Sequence, residues 1–134
     1  MKGRKGKSAK VIKIRHKMLS GKSKWIVTPG RVRVAAGDRI TFDAAGTAAI
    51  LLIPMPDLFE AIGAYGVSSG VLTIFVRKDG TVSLRVKETG RAKRRRGQPS
   101  IECRYAVYCS ADGDFAKGNS SPVIIIEPPS LGGG

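Results

Sequence analysis

The chain reads as an all-β protein, an antiparallel β-sandwich of about seven to nine short strands with one short helix near residues 57–62. Three observations carry this. Apolar and polar residues alternate with period two in run after run of strand length, Gly, Pro, Asp and Ser punctuate those runs at near-regular spacing, and only one stretch has helical spacing. With 134 residues, one domain suffices and no staples are needed to build its core.

Taken in order, residues 1–10 mix Gly, Lys, Arg and Ser and bury too little apolar surface to offset ordering entropy, so a flexible basic arm is expected. Ile12, Ile14 and Met18 then alternate with Lys13, Arg15 and Lys17, a first strand with a basic outer stripe and His16 on its apolar side. Trp25 to Thr28 begins a second strand, ended by Pro29 and Gly30. Val32 and Val34, a turn at Ala36-Gly37-Asp38, and Ile40 and Phe42 make a hairpin or corner. Ala48 to Ile53 is continuously apolar and reads as buried on both faces. Asp57, as an N-cap ahead of Leu58, Phe59, Glu60 and Ile62, gives the short helix.

Val71–Arg77 and Thr81–Lys87 read as a hairpin. A three-residue loop with Gly80 left-handed pairs Val76 with Val82, Ile74 with Leu84 and Leu72 with Val86, the register that keeps one face apolar. Residues 88–100 form a long basic loop around R-A-K-R-R-R. Ile101, Cys103, Tyr105, Val107 and Cys109 share one face of a strand, and Val123 to Ile126 supplies a last buried one. The domain therefore spans 11–129, with 130–134 as a flexible tail.

The charge is unevenly placed. Of 24 cations, ten lie in residues 1–24 and five in 91–96, with no acid in either segment, which leaves nine cations against all ten acids elsewhere. A net charge of +14 is thus carried by two appended segments on a nearly neutral body. No apolar run is long enough to span a membrane and no secretory h-region follows the basic start, so a cytoplasmic protein is expected. Cys103 and Cys109 in one strand stand about 20 Å apart and cannot bond to each other there, so two reduced thiols are expected.

The phrases V-R-V-A-A-G-D-R-I-T-F, I-L-L-I-P and Y-A-V-Y-C, with a loop and a hydrophobic last strand after them, resemble a cupredoxin over roughly residues 25–127. That resemblance implies a Greek-key sandwich and puts Cys109 where a copper-binding cysteine would stand. The loop from Ser110 to Pro122 holds neither His nor Met, and the one histidine of the chain, His16, lies outside the matched region. Blue copper needs two imidazoles and a thiolate, so no metal and no cofactor are expected.

Other catalytic sets are also missing. Asp112-Gly113-Asp114 reads as a turn, Ser120 and Ser121 have no partnering histidine, and no phosphate-binding glycine loop or zinc spacing occurs. The expectation is a non-enzyme without a small-molecule substrate, contacting nucleic acid or another polyanion through Lys2, Arg4, Lys5, Lys7, Lys10, Lys13, Arg15, Lys17, Arg91, Lys93, Arg94, Arg95 and Arg96. Arg31, Arg33, Arg85, Lys87, Arg104 and Tyr108 extend that patch in this reading, and few exposed aromatics are evident for base stacking. The alternative is a structural protein whose sandwich self-associates or docks a protein partner.

Overall fold

Period-two alternation decides burial throughout the fold, and each sheet turns its apolar rows onto one shared core. The computed structural model describes residues 9–19, 21–62, 65–68, 70–110, 113–116 and 121–129. Among them are thirteen strands: β1 (Ala9–Leu19), β2 (Lys22–Thr28), β3 (Arg31–Val34), β4 (Arg39–Ala44), β5 (Ala49–Ile53), β6 (Phe59–Ile62), β7 (Tyr65–Ser68), β8 (Val71–Val76), β9 (Thr81–Val86), β10 (Ile101–Arg104), β11 (Ala106–Cys109), β12 (Asp114–Phe115) and β13 (Val123–Ile126). The first sheet runs β2-β1-β4-β9-β6, the second β10-β13-β3 and the third β12-β11-β5-β8-β7. Ile12, Phe42 and Leu84 from the first, Val34 and Ile124 from the second, and Leu51, Ile74 and Val107 from the third belong to one buried cluster. The all-β sandwich is therefore present.

The sequence predicts antiparallel pairing, and two strand pairs depart from it. β1 runs parallel to β4, and β13 runs parallel to β3. Both pairs join strands far apart in the chain, where the connection has room to cross the sandwich and return in the same direction. The expected helix at 57–62 is also absent: Pro56–Leu58 is a single 3-10 turn, and Phe59–Ile62 is β6. Six residues make a marginal helix, whereas the exposed edge of β9 pairs Phe59 with Val86 and Ala61 with Leu84 while burying Leu58 and Phe59.

The expected hairpin at 71–87 divides between two sheets. β8 pairs with β5 and β7, and β9 with β4 and β6. Gly80 N donates to Arg77 O at 2.8 Å, and it is Asp79, at φ 61°, that takes the left-handed position. The apolar rows were correctly assigned, but Ile74 and Leu84 enter the shared core from different sheets instead of lying side by side. Burial of one face selects a row and cannot say which sheet the row belongs to.

Ile101 to Cys109 likewise keeps its inward row, with Cys103, Tyr105, Val107 and Cys109 all buried. The strand nevertheless breaks at Tyr105, so that β10 enters the second sheet and β11 the third. β5 buries Ala49, Leu51 and Ile53 fully and Ile50 and Leu52 only by half, against the two-sided burial expected. β13 is buried at all four residues as the middle strand of its sheet. β1 begins at Ala9, inside the stretch expected as arm; residues 1–8 and the tail 130–134 lie outside the described residues.

Candidate functional site

β1 is longer than the sandwich needs. It pairs with β4 from Ala9 to Ile14 and with β2 from Lys13 to Leu19, so its second half and β2 form a two-stranded ribbon running past the end of β4. On the inward row Ile12 and Ile14 are fully buried, but Met18 is 63 % exposed because the core has ended. His16, expected on the apolar side, lies in that row yet is exposed, its ring packed at a 37° tilt against Trp25 with centroids 4.8 Å apart. Trp25 is buried over Gly46, at φ 82°, where an added Cβ would come within 3.2 Å of the indole. This packing anchors the ribbon.

The outer row of β1 holds Lys13, Arg15 and Lys17, all exposed. Their cross-strand partners on β2 are Thr28, Ile26 and Lys24, and a cavity of about 220 Å³ is lined by Arg15, His16, Lys17, Ile26 and Thr28. The same outer face continues into the body, where Ala9, Arg39, Arg85 and Glu60 stand in one row across four strands. Between the two basic ends lie Val11, Thr41 and Ser83, the two hydroxyls 3.0 Å apart. Lys13 is the partner of Asp43. Lys13, Arg15, Lys17, Lys24, Arg39 and Arg85 therefore share one sheet face with the acids Asp43 and Glu60. Eight residues separate Ala9 from Lys17, so the track is about 26 Å long at a rise of about 3.3 Å per residue. Arg39 directly opposite Arg85 is a like-charge pair of the kind that costs stability.

The basic loop is placed differently. Arg91 Nε and Nη2 donate to Asp57 Oδ2 and Oδ1 at 2.9 and 3.1 Å, so the carboxylate expected as a helix cap is instead an ion-pair partner. The Arg91 hydrogen bond holds Asp57 below the usual carboxylate range. Arg94 is half-buried and donates to Pro99 O at 3.3 Å, while Lys93, Arg95 and Arg96 are exposed. The loop packs against Pro56–Leu58, next to β6, at the edge of the first sheet opposite β2. Three strand spacings of about 4.8 Å separate β6 from β1, roughly 14 Å. Because Ala9 aligns with Arg39 and Arg85, the start of β1 and the start of the loop share one end of the sheet, and the ribbon projects from the other.

Of the other expected site residues, Lys10 stands in the inward row opposite Ile40 yet is exposed, and Lys2, Arg4, Lys5 and Lys7 lie outside the described residues. Arg85 does extend the basic face. Arg31, Arg33 and Arg104 do not, since they belong to the second sheet, where Arg33 Nη1 reaches Glu127 Oε2 at 2.8 Å and Arg104 Nη2 lies 3.6 Å from Glu102 Oε1. Lys24 and Arg39 were missed as site residues; only strand pairing puts them beside Lys17 and Arg85.

The third sheet presents a different outer face. Phe115, Tyr108, Ile50 and Phe75 stand in one row across β12, β11, β5 and β8, with Ala106, Leu52 and Thr73 in the next. Phe75 is 59 % and Phe115 47 % exposed, and the Tyr108 and Phe115 rings meet edge to face at 5.4 Å. Exposed aromatics are few among the described residues, as expected, but the two that are exposed, Phe75 and Phe115, stand in one row with Tyr108. No single strand carries the row, so it is invisible until the strands are paired.

Neither cysteine is in a disulfide, and both are buried. Burial pushes the Cys103 thiol up to about 11, against weaker opposing effects of the Met55 backbone and Arg91. The folded thiol thus stays protonated where the unfolded one ionises, so its contribution is complete below pH 9 and is lost as pH rises through 11. Urea unfolding is expected to show stability falling on the order of 1 kcal/mol per pH unit across that window, with a shallower fall in Cys103→Ala. An equal slope in the variant would assign the loss elsewhere.

For copper, the donors do not fit. Cys109 is buried on β11 in the third sheet, His16 stands on the ribbon of the first, and the sequence has no second histidine. Among the described residues no three His, Cys, Asp or Glu side chains gather in a metal-binding group, and no helix is long and apolar enough to cross a membrane.

No family profile and no curated protein sequence matches the chain. Solved structures do. A variant of amicyanin, a cupredoxin, in its reduced Cu(I) form at pH 4 is 14 % identical over 89 % of this chain and 82 % of its own, with a TM-score of 0.47. A second amicyanin variant in the Cu(I) form is 13 % identical over 93 % and 86 %, also at 0.47. A non-cellulosomal cohesin from the hyperthermophilic archaeon Archaeoglobus fulgidus is 15 % identical over 73 % and 87 %, at 0.34. These are likenesses of fold alone.

Proposed function

We propose that this β-sandwich is a non-enzymatic binding module whose first sheet docks a polyanion, best matched by the phosphate backbone of nucleic acid, along its outer face. The observation that supports this reading is the gathering of Lys13, Arg15, Lys17, Lys24, Arg39 and Arg85 on one sheet surface about 26 Å long. Phosphates spaced along a strand suit such a track, and flexible Lys and Arg side chains release counterions on contact. The ribbon does most of the holding. Arg91 is already committed to Asp57, and the loop's free cations stand at the far edge of the sheet. Among the described residues this face offers no fixed donor set for base edges, so binding is weakly sequence-specific.

Salt titration tests the reading. With about four phosphate contacts to duplex DNA, the slope of log affinity against log salt is expected to be about −3.6 (about −0.9 per phosphate). Absent binding at low salt, or affinity indifferent to salt, would sink it.

A further inference from the structure

We propose that the outer face of the third sheet pairs two copies of this chain, back to back, leaving both polyanion-binding faces outward. Phe75 and Phe115 at the ends of the aromatic row are about half exposed, and Tyr108 and Ile50 between them are half-buried. A row of large apolar side chains on a sheet face is what sandwich packing uses inside a domain, and here it is turned outward. Such a patch marks an interaction surface.

Charge selects the occupant. The chain carries +14, so two copies repel wherever basic surfaces meet. The first sheet's outer face is basic, and the second's bears Arg31, Arg33, Glu102 and Arg104. Among the described outward side chains in the strand rows of the third sheet there is no charge; the nearest cation along β8, Arg77, lies beyond its end. This is therefore the face by which two like-charged copies can approach, with their basic tracks on opposite sides of the pair. A two-fold axis asks each copy to present the same patch, and a neutral row meets itself without clash of sign. The same neutrality argues against a base-stacking platform, which needs cations alongside its aromatics to hold the phosphates.

Sedimentation equilibrium on the full chain tests the proposal. A monomer–dimer equilibrium is expected that tightens as salt screens the repulsion, opposite in sign to polyanion binding. Phe75→Glu and Phe115→Glu are expected to raise the dimer dissociation constant about tenfold or more, whereas Arg15→Glu does not weaken the dimer. Phe75→Ser supplies the same test should the charged variants fail to fold by circular dichroism. A strict monomer up to submillimolar concentration, or a dimer untouched by these substitutions, would overturn it. So would a monomeric protein whose affinity for single-stranded oligonucleotide falls in Phe75→Ser, which would make the face a base platform. Salt-dependent DNA binding that persists in the monomeric variants keeps this outcome separate from that of the first sheet.

Discussion

Reversing two charges on the ribbon, Arg15→Glu with Lys17→Glu, is expected to cut affinity for duplex DNA about sixtyfold or more at about 0.1 M salt. The figure follows from counterion release. Each phosphate contact contributes about 0.9 to the salt exponent, roughly eightfold in affinity between 1 M and 0.1 M salt, and two lost contacts multiply. The slope should shrink by about 2 in the same experiment. Both side chains are exposed on a ribbon whose anchoring lies on its other face, in the Trp25 packing and the buried Ile14. Stability should accordingly move by no more than about 0.5 kcal/mol. The matched control is Arg31→Glu with Arg104→Glu, an identical change of net charge on the second sheet. A few-fold loss there against the larger loss on the ribbon locates the contact; equal losses would reduce the effect to net charge and remove the face as a site.

Individual sequence runs told which way each side chain points, because alternation is a local property. Ile12, Ile14, Val32, Val34, Ile40, Phe42, Leu84, Cys103 and Val107 all face the core as their spacing requires. They could not tell which strand lies alongside which. β8 and β9 are apolar on one face each, and pairing side by side or stacking face to face buries those faces equally well, so the hairpin reading and the observed crossover are degenerate at that level. The candidate site failed to be legible for the same reason. Arg15 and Lys17 announced themselves on one strand, but Arg39 and Arg85 join the face only through the β1–β4 and β4–β9 registers. The aromatic row is the extreme case, with four residues drawn from four strands. Charge density along the chain also misplaced emphasis: the R-A-K-R-R-R run is the densest cluster, yet folding ties Arg91 to Asp57 and half-buries Arg94.

Phe42→Ala should be the most destabilising single change in the core, about 3–5 kcal/mol by urea unfolding, enough to unfold a domain at the low end of ordinary stability. Phe42 is fully buried on β4, the middle strand of the first sheet, beside Ile12 on β1 and Val82 on β9. Strands fixed by hydrogen bonds on both sides cannot close over the space it leaves, so the cavity term is retained in full. Its ring stands edge-on to Tyr105 at 5.7 Å and 81°, and loss of that contact adds to the cost. Tyr105 offers the opposite test at the same point of the core. Its hydroxyl is buried with no hydrogen-bond partner among the described residues, and burial holds its ionisation well above the ordinary phenol range. Tyr105→Phe keeps the ring and the edge contact while deleting an oxygen whose desolvation nothing offsets. Stability should then hold or rise by about 1 kcal/mol, and the fall above pH 10 should become shallower, because the phenol that ionises only in the unfolded chain is gone. A loss of more than about 1 kcal/mol in Tyr105→Phe would mean that the hydroxyl has a partner in solution, and that the break between β10 and β11 is held by a polar contact instead of by packing against Phe42.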